Sequence, residues 1–319
     1  MTPLDKFIQM FEAILLFAAI VALVLFLADR FRGKAADRAA AVGFVLPAVG
    51  LLCIGLLYPA VLTLQESFFN RNGKKFVGLD NYATTFTSPE LLLVLRNTFI
   101  WVLVTPFFAT ALGLVYAVVV DRAKSEKLAK AAIFLPMAIS FVGASIIWKF
   151  VYAFRPADTQ QIGIANQVLV WLHQSPYNFL LNDPWNTLFL IVVMVWIQAG
   201  FAMTILSAAI KAIPDDIVEA ARLDGVTRME MFRFVTVPSI RPATIVVLTT
   251  IAIGTLKVFD IVRTMTGGNF NTSVLASSFY QKTFVEGDQG LGAALAVVLF
   301  VLVSPIVIYN VRQMRKADA

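Results

Sequence analysis

Apolar residues gather into seven runs along this chain, at about 7–27, 41–62, 97–120, 131–151, 187–210, 242–259 and 291–311, separated by more polar segments. Each run is near or above the ~18–20 residues that a helix needs to cross a hydrocarbon core about 30 Å thick. In lipid, backbone amides must be satisfied within their own segment, so runs this long are read as helices. Prolines punctuate the pattern: Pro214 follows the fifth run, and Pro238 and Pro242 flank the start of the sixth. The longest polar connection is about 35 residues, too short for an independent core. The pattern predicts an all-α, polytopic membrane helix bundle of seven spans with no separate soluble domain.

Composition agrees with the pattern. Hydrophobic residues fill 59% of the 319 positions and charged ones only 14%, and the mean hydropathy is +0.79. So few charges cannot cover that much apolar surface in water. The net charge of +6 invites a nucleic-acid reading, but its distribution speaks for membrane topology. The connections 28–40, 121–130 and 211–241 and the tail after 311 hold 16 Lys and Arg, whereas the N-terminal stub and the connections 63–96, 152–186 and 260–290 hold 8. The positive-inside bias makes the first set cytoplasmic, which puts the N-terminus outside and the C-terminus inside. The first run is read as an uncleaved helix, because it is longer than the h-region of a signal peptide and Arg30, Arg32, Lys34 and Arg38 follow it. The lone Cys53 rules out an intrachain disulfide and is expected to be a buried packing residue; the lone His173 speaks against a His-rich metal site.

One connection differs from the rest. After Pro214, Asp215 and Asp216 offer N-caps, and Asp216 with Glu219 has capping-box spacing. Ala220, Ala221 and Leu223 continue a short helix, which Asp224-Gly225 closes because glycine tolerates the left-handed C-terminal geometry. Thr227 and Glu230 form a second capping-box pattern. Phe232 and Phe234 return that second helix to the bundle, and Pro238 and Pro242 stop it. Two short capped helices joined at a glycine suit either a connector lying on the lipid surface or a docking element for a cytoplasmic partner.

Glu219-Ala220-Ala221, Asp224-Gly225, Phe232, Val235, Val237-Pro238 and Pro242 together resemble the EAA loop of permease subunits of binding-protein-dependent ABC importers. Val226 stands where that family often has Ala, and Val235 and Val237 where it favours Ile and Leu. Val77-Gly78-Leu79-Asp80-Asn81-Tyr82, Arg96-Asn97-Thr98, Phe134-Leu135-Pro136-Met137 and Phe259-Asp260 followed by Thr266-Gly267-Gly268 are similar to the carbohydrate branch, with the 134–137 stretch resembling a helix start. Asn269-Phe270 replaces the family's usual Gly-Pro-like ending. Met137–Tyr152 and Trp196–Ser207 look most like permeases of the maltose/α-glucoside type. The resemblance implies a six-helix permease domain over 41–319, preceded over 1–40 by an extra transmembrane helix and a cytoplasmic linker, in a bacterial or archaeal plasma membrane. It further implies an ATP-driven sugar importer with a second homologous permease subunit, two copies of a cytoplasmic ABC ATPase and an extracytoplasmic sugar-binding protein. MgATP would sit on the ATPase: the chain has no G-x-x-x-x-G-K-[ST], and Asn72-Gly73-Lys74-Lys75 lacks the first glycine and the Ser/Thr. No catalytic residue, cofactor or metal is expected in the chain itself. Glu219, Ala220, Ala221, Asp224 and Gly225 would couple it to the ATPase.

Polar and aromatic residues inside spans mark a candidate translocation path, since they are costly in lipid and tend to be functional. In the fifth run, Gln198, Phe201 and Thr204 share a helical face near Trp196. An amide beside an aromatic ring suits a sugar, with its hydroxyl edge and weakly apolar face. By resemblance, Ile197, Gln198 and Phe201, with Gly254, Thr255 and Val258 of the sixth run, occupy sugar-contact positions. Lys257 and Asp260 have the spacing of an ion pair. The competing reading is an ion-coupled secondary transporter, which usually places ionisable groups deep in its spans; here Glu12, Lys149, Lys257 and Asp260 lie toward their ends. A retinal-type protein lacks its Schiff-base lysine in 291–311, and a membrane enzyme lacks an acid–base or metal cluster.

Overall fold

The computed structural model describes residues 3–30, 43, 45–121 and 125–317, and among these there is no β-strand, only a single bridge between Phe69 and Phe76. The chain divides into two compact units, 1–65 and 66–319.

The first unit consists of α1 (Pro3–Arg30) and nearly all of α2 (Val45–Glu66). Side chains such as Phe7, Phe11, Leu51 and Ile54 are exposed, and the apolar windows of both helices are free of burial. Helices this apolar and this bare are stable only against lipid or another apolar surface. Cys53, expected to be buried, is exposed, as are its neighbours Leu52 and Ile54. It opens a π-helical turn, Cys53–Leu57.

The second unit holds α3 (Asp80–Thr87), α4 (Pro89–Val120), α5 (Glu126–Ala138), α6 (Phe141–Val151), α7 (Ile164–Trp171), α8 (Trp185–Lys211), α9 (Asp215–Leu223), α10 (Arg228–Ser239), α11 (Arg241–Leu256), α12 (Asp260–Met265), α13 (Leu275–Tyr280) and α14 (Gln289–Ala317). At its centre lies α8, packed most extensively on α4 and also touching α5, α6, α11 and α12. Leu190, Val193, Met194, Ile197, Met203 and Leu206 of α8 are buried in the main core. Small residues let the α4 and α8 backbones approach, as lipid-embedded helices require. Gly113 lies between the buried Ala109 and Ala117, and a Cβ on it would overlap Ala202 of α8.

One of the runs expected as a continuous span, 131–151, is broken, and a second break precedes the sixth run, where Pro238 and Pro242 were expected to end the loop helix. The axes of α5 and α6 differ by 102°, and those of α10 and α11 by 66°. Among the described residues, five helices are long and apolar enough to cross a membrane, or up to seven if each bent pair counts as one. At the first break, Leu135–Ala138 tightens into a 3₁₀ turn around Pro136, and Ser140 starts α6 by accepting the Gly143 N–H at 3.1 Å. Phe134–Met137 is thus the end of α5, where a helix start was expected. At the second, Pro238 sits within the last turn of α10 and does not stop it; the break falls at Ile240, with Pro242 in the first turn of α11. The chain leaves the helix again at Lys257, so helical spacing fails and Lys257 and Asp260 form no ion pair among the described residues.

The connection 152–186 folds onto the bundle through buried amides and stacked rings. Asn166 donates to the Ala153 carbonyl at 2.9 Å and accepts the Tyr177 N–H at 2.7 Å. Tyr152 stacks on Phe179 at 5.0 Å and donates to the Phe189 carbonyl at 3.1 Å.

Candidate coupling loop and translocation path

Between α8 and α11 the chain forms the anticipated pair of helices joined at a glycine. Pro214, with extended ψ of 135°, precedes α9 and has no side-chain cap. Helix α9 therefore begins at Asp215, and the Asp216–Glu219 capping box does not form; Asp215 and Asp216 instead lie in the first turn, against the positive end of the helix dipole. Gly225 closes α9 at φ +78°, where a Cβ would meet nothing within 4 Å, and the Val226 N–H reaches back to the Ala221 carbonyl. Thr227 and Glu230 make the second box in both directions, at 3.3 Å and 2.7 Å. The Thr227 backbone N–H holds the Glu230 carboxyl below the usual carboxylate range.

No residue of α9 is buried. Glu219 and Ala220 are exposed, and Leu223 is 89% exposed. Phe232 turns inward to line a cavity with Leu114, Val115 and Val118 of α4. Phe234 faces outward, under the Arg233 guanidinium, so one aromatic returns α10 to the bundle rather than two.

Immediately before this loop, the end of α8 is tied to α4 and α5 by a charged cluster that the sequence reading missed. Lys130 Nζ lies 2.6 Å from Asp121 Oδ1, 2.8 Å from Glu126 Oε1 and 2.5 Å from Ser207 Oγ. Ser207 donates to both Asp121 oxygens, at 2.8 and 3.0 Å, and Lys211 pairs with Glu126. Hydrogen bonds from Lys130 and then Lys211 hold Glu126, in the polar connection before its apolar run, down to about 2. The i,i+4 spacings Glu126–Lys130 and Ser207–Lys211 were visible signals; their convergence on Asp121 was not.

The six path residues divide into two groups. Ile197 and Val258 are buried in the same core cluster. Thr255 is also buried, and its hydroxyl donates to the Ile251 carbonyl at 2.7 Å, which leaves its oxygen lone pairs as acceptors. Gln198, Phe201 and Gly254 are partly exposed, and a Cβ on Gly254 would meet nothing within 4 Å. Thr204 is exposed and bonds back to the Gly200 carbonyl. Trp196 packs edge-on against Trp148, with centroids 5.7 Å apart.

A family model for the binding-protein-dependent transport system inner membrane component matches residues 83–315, from α3 to near the end of α14. The chain belongs to this family. It is an integral membrane permease subunit of an ABC importer, not an enzyme. It is 45% identical over 275 residues to the osmoprotective compounds uptake permease protein GgtC of Synechocystis sp., covering 86% of this chain and 99% of that one. It is 45% identical over 270 residues to the alpha-glucoside transport system permease protein AglF of Rhizobium meliloti, covering 84% and 80%. The bundle superposes with a TM-score of 0.76, at 22% identity, on a chain of a bacterial ABC transporter involved in the import of the acidic polysaccharide alginate, covering 89% of this permease and 98% of that chain.

Proposed function

We propose that this permease moves a sugar, an α-glucoside such as maltose or trehalose, into a bacterial or archaeal cell through the inner membrane. Sugar arrives from an external binding protein, crosses between this subunit and a second homologous permease, and is driven by MgATP on two copies of a cytoplasmic ATPase. The N-terminus lies outside, the C-terminus is cytoplasmic, and residues 1–40 add a helix and linker to a permease domain over 41–319. The similarity to an α-glucoside permease and to a trehalose/maltose permease, at 45% and 30% identity, supports the substrate class.

The observation that carries the coupling role is α9, a short helix in a member of this family with no buried residue, ended by a left-handed glycine. Glu219 meets basic or amide groups of the ATPase, Ala220 and Ala221 permit close approach, and Asp224-Gly225 sets the bend that returns the chain to α10. The charged cluster at the end of α8 makes α9 a handle on a firm shaft: force on the loop passes to α4, α5 and α8 together. Along the path, Gln198, Phe201 and Thr255, with Ile197, Gly254 and Val258 around them, contact the sugar as α8 and α11 move. In reconstituted complexes, Glu219→Lys and Gly225→Val are expected to abolish ATP-driven uptake while membrane insertion persists. Full uptake by either variant would refute the coupling role.

A further inference from the structure

Near the start of α8 lies a polar cleft of about 710 Å³, bordered by the first turn of α4, the 267–273 turn and α13. One wall is Phe270, a residue in left-handed backbone at φ +55°, where a bulky side chain is an outlier. Two fully buried amides hold that turn. Asn186 donates to the Phe270 carbonyl at 2.7 Å, and Asn97 donates to the Asn271 and Ser273 carbonyls at 2.6 and 3.1 Å. Strain fixed by buried hydrogen bonds is a mark of a functional position, and here it displays a ring that is 49% exposed.

The other walls carry polar groups with spare capacity. The Arg263 guanidinium rests over the Tyr280 ring at 5.3 Å and forms no ion pair among the described residues. The Gln281 amide and the nearly buried Ser277 hydroxyl make no side-chain hydrogen bond among them either. Lys282 is balanced by Glu90 and Glu286, so the cleft is not a concentrated positive site of the kind that selects phosphate. A half-exposed ring beside free amide, hydroxyl and guanidinium groups in a nearly charge-balanced cleft is chemistry for a neutral polyhydroxy ligand.

We infer that this cleft is a saccharide subsite, with Phe270 as its stacking surface and Arg263, Ser277 and Gln281 as hydrogen-bonding partners. The inference rests on the sugar-import reading. Asn186 is in the first turn of α8 and α9 follows its last, so at 1.5 Å per residue the cleft is roughly 40 Å from the coupling loop, with Gln198 between them. The subsite holds sugar at the outer mouth before it reaches Gln198 and Phe201.

The test places a reporter cysteine at Ser277→Cys, or at Gln281→Cys should the first fail to fold, in a Cys53→Ser background within the full transport complex. Alkylation of this chain by N-ethylmaleimide is followed by mass spectrometry with maltose, trehalose or sucrose, and separately with sugar-free binding protein. The expected result is at least about threefold slower alkylation with a transported sugar alone, lost in Phe270→Ala and kept in Phe270→Tyr. Protection by sugar-free binding protein but not by sugar would make the cleft a protein-docking surface and overturn the inference. Absence of protection by a sugar that the same complex imports, or protection unchanged in Phe270→Ala, would overturn it too. If no sugar is imported at all, the parent reading fails, and protection still reports on the cleft by itself.

Discussion

Lys130 Nζ and Asp121 Oδ1 lie 2.6 Å apart, with Ser207 bonded to both residues. Three helices meet at this contact, one of which runs on within a few residues into the exposed helix α9. A hydrogen-bonded charge pair of this kind is worth roughly 1–3 kcal/mol, most of it the cost of stranding the surviving partner. Asp121→Asn and Lys130→Met are therefore expected to lower the melting temperature of the purified permease by several degrees. They should also raise ATP consumed per sugar imported, because the shaft under α9 loosens. A ratio of hydrolysis to uptake equal to wild type would show that the cluster is only structural.

The bend at Gly225 gives a graded series. Nothing would touch an added Cβ, so the penalty is purely that of left-handed backbone. Uptake should fall in the order Gly, Asn, Ala, Val at position 225, since Asn visits this region most readily of the three replacements. Equal loss in all three variants would point to a contact at that position instead of a conformation. Uptake is measured against membrane abundance.

Exposure and function are separable on α9. Leu223 touches almost nothing in this chain, so Leu223→Asp should leave thermal stability within about 0.5 kcal/mol of wild type. It should still abolish copurification of the ATPase. Unchanged copurification would remove Leu223 from the docking surface.

Two glycines of similar appearance in the sequence have opposite surroundings. Gly113→Val drives a side chain into Ala202 and is expected to cost several kcal/mol and reduce folded protein in the membrane. Gly254→Ala faces open space, so it should leave protein levels normal and act on sugar KM if Gly254 borders the path. Gln198→Ala should likewise raise KM about tenfold, the loss of about one hydrogen bond to a sugar hydroxyl.

Apolar run length made the helical membrane bundle legible, because lipid imposes a length and composition that few other structures need. The two-helix loop between α8 and α11 was legible for a different reason: caps and glycine turns are local. Even there, Thr227–Glu230 and Asp216–Glu219 share one spacing and only the first forms a box. The extended backbone at Pro214 decides this by starting α9 at Asp215, a choice that side-chain spacing does not encode. The break at Ile139–Ser140 was hidden because a bend leaves hydropathy unchanged, whereas Pro238 and Pro242 marked the one at Ile240. The cluster around Asp121 and the buried Asn97 and Asn186 anchors join residues more than 80 positions apart. Pairings that distant are fixed by packing and leave no periodic trace.

The most direct test of the account is sugar uptake by proteoliposomes containing the two permease subunits, with the ATPase and the binding protein each added or withheld. The account predicts vanadate-sensitive uptake that requires both, and its loss in Glu219→Lys. Uptake driven by a proton or sodium gradient in vesicles holding this chain alone would contradict it.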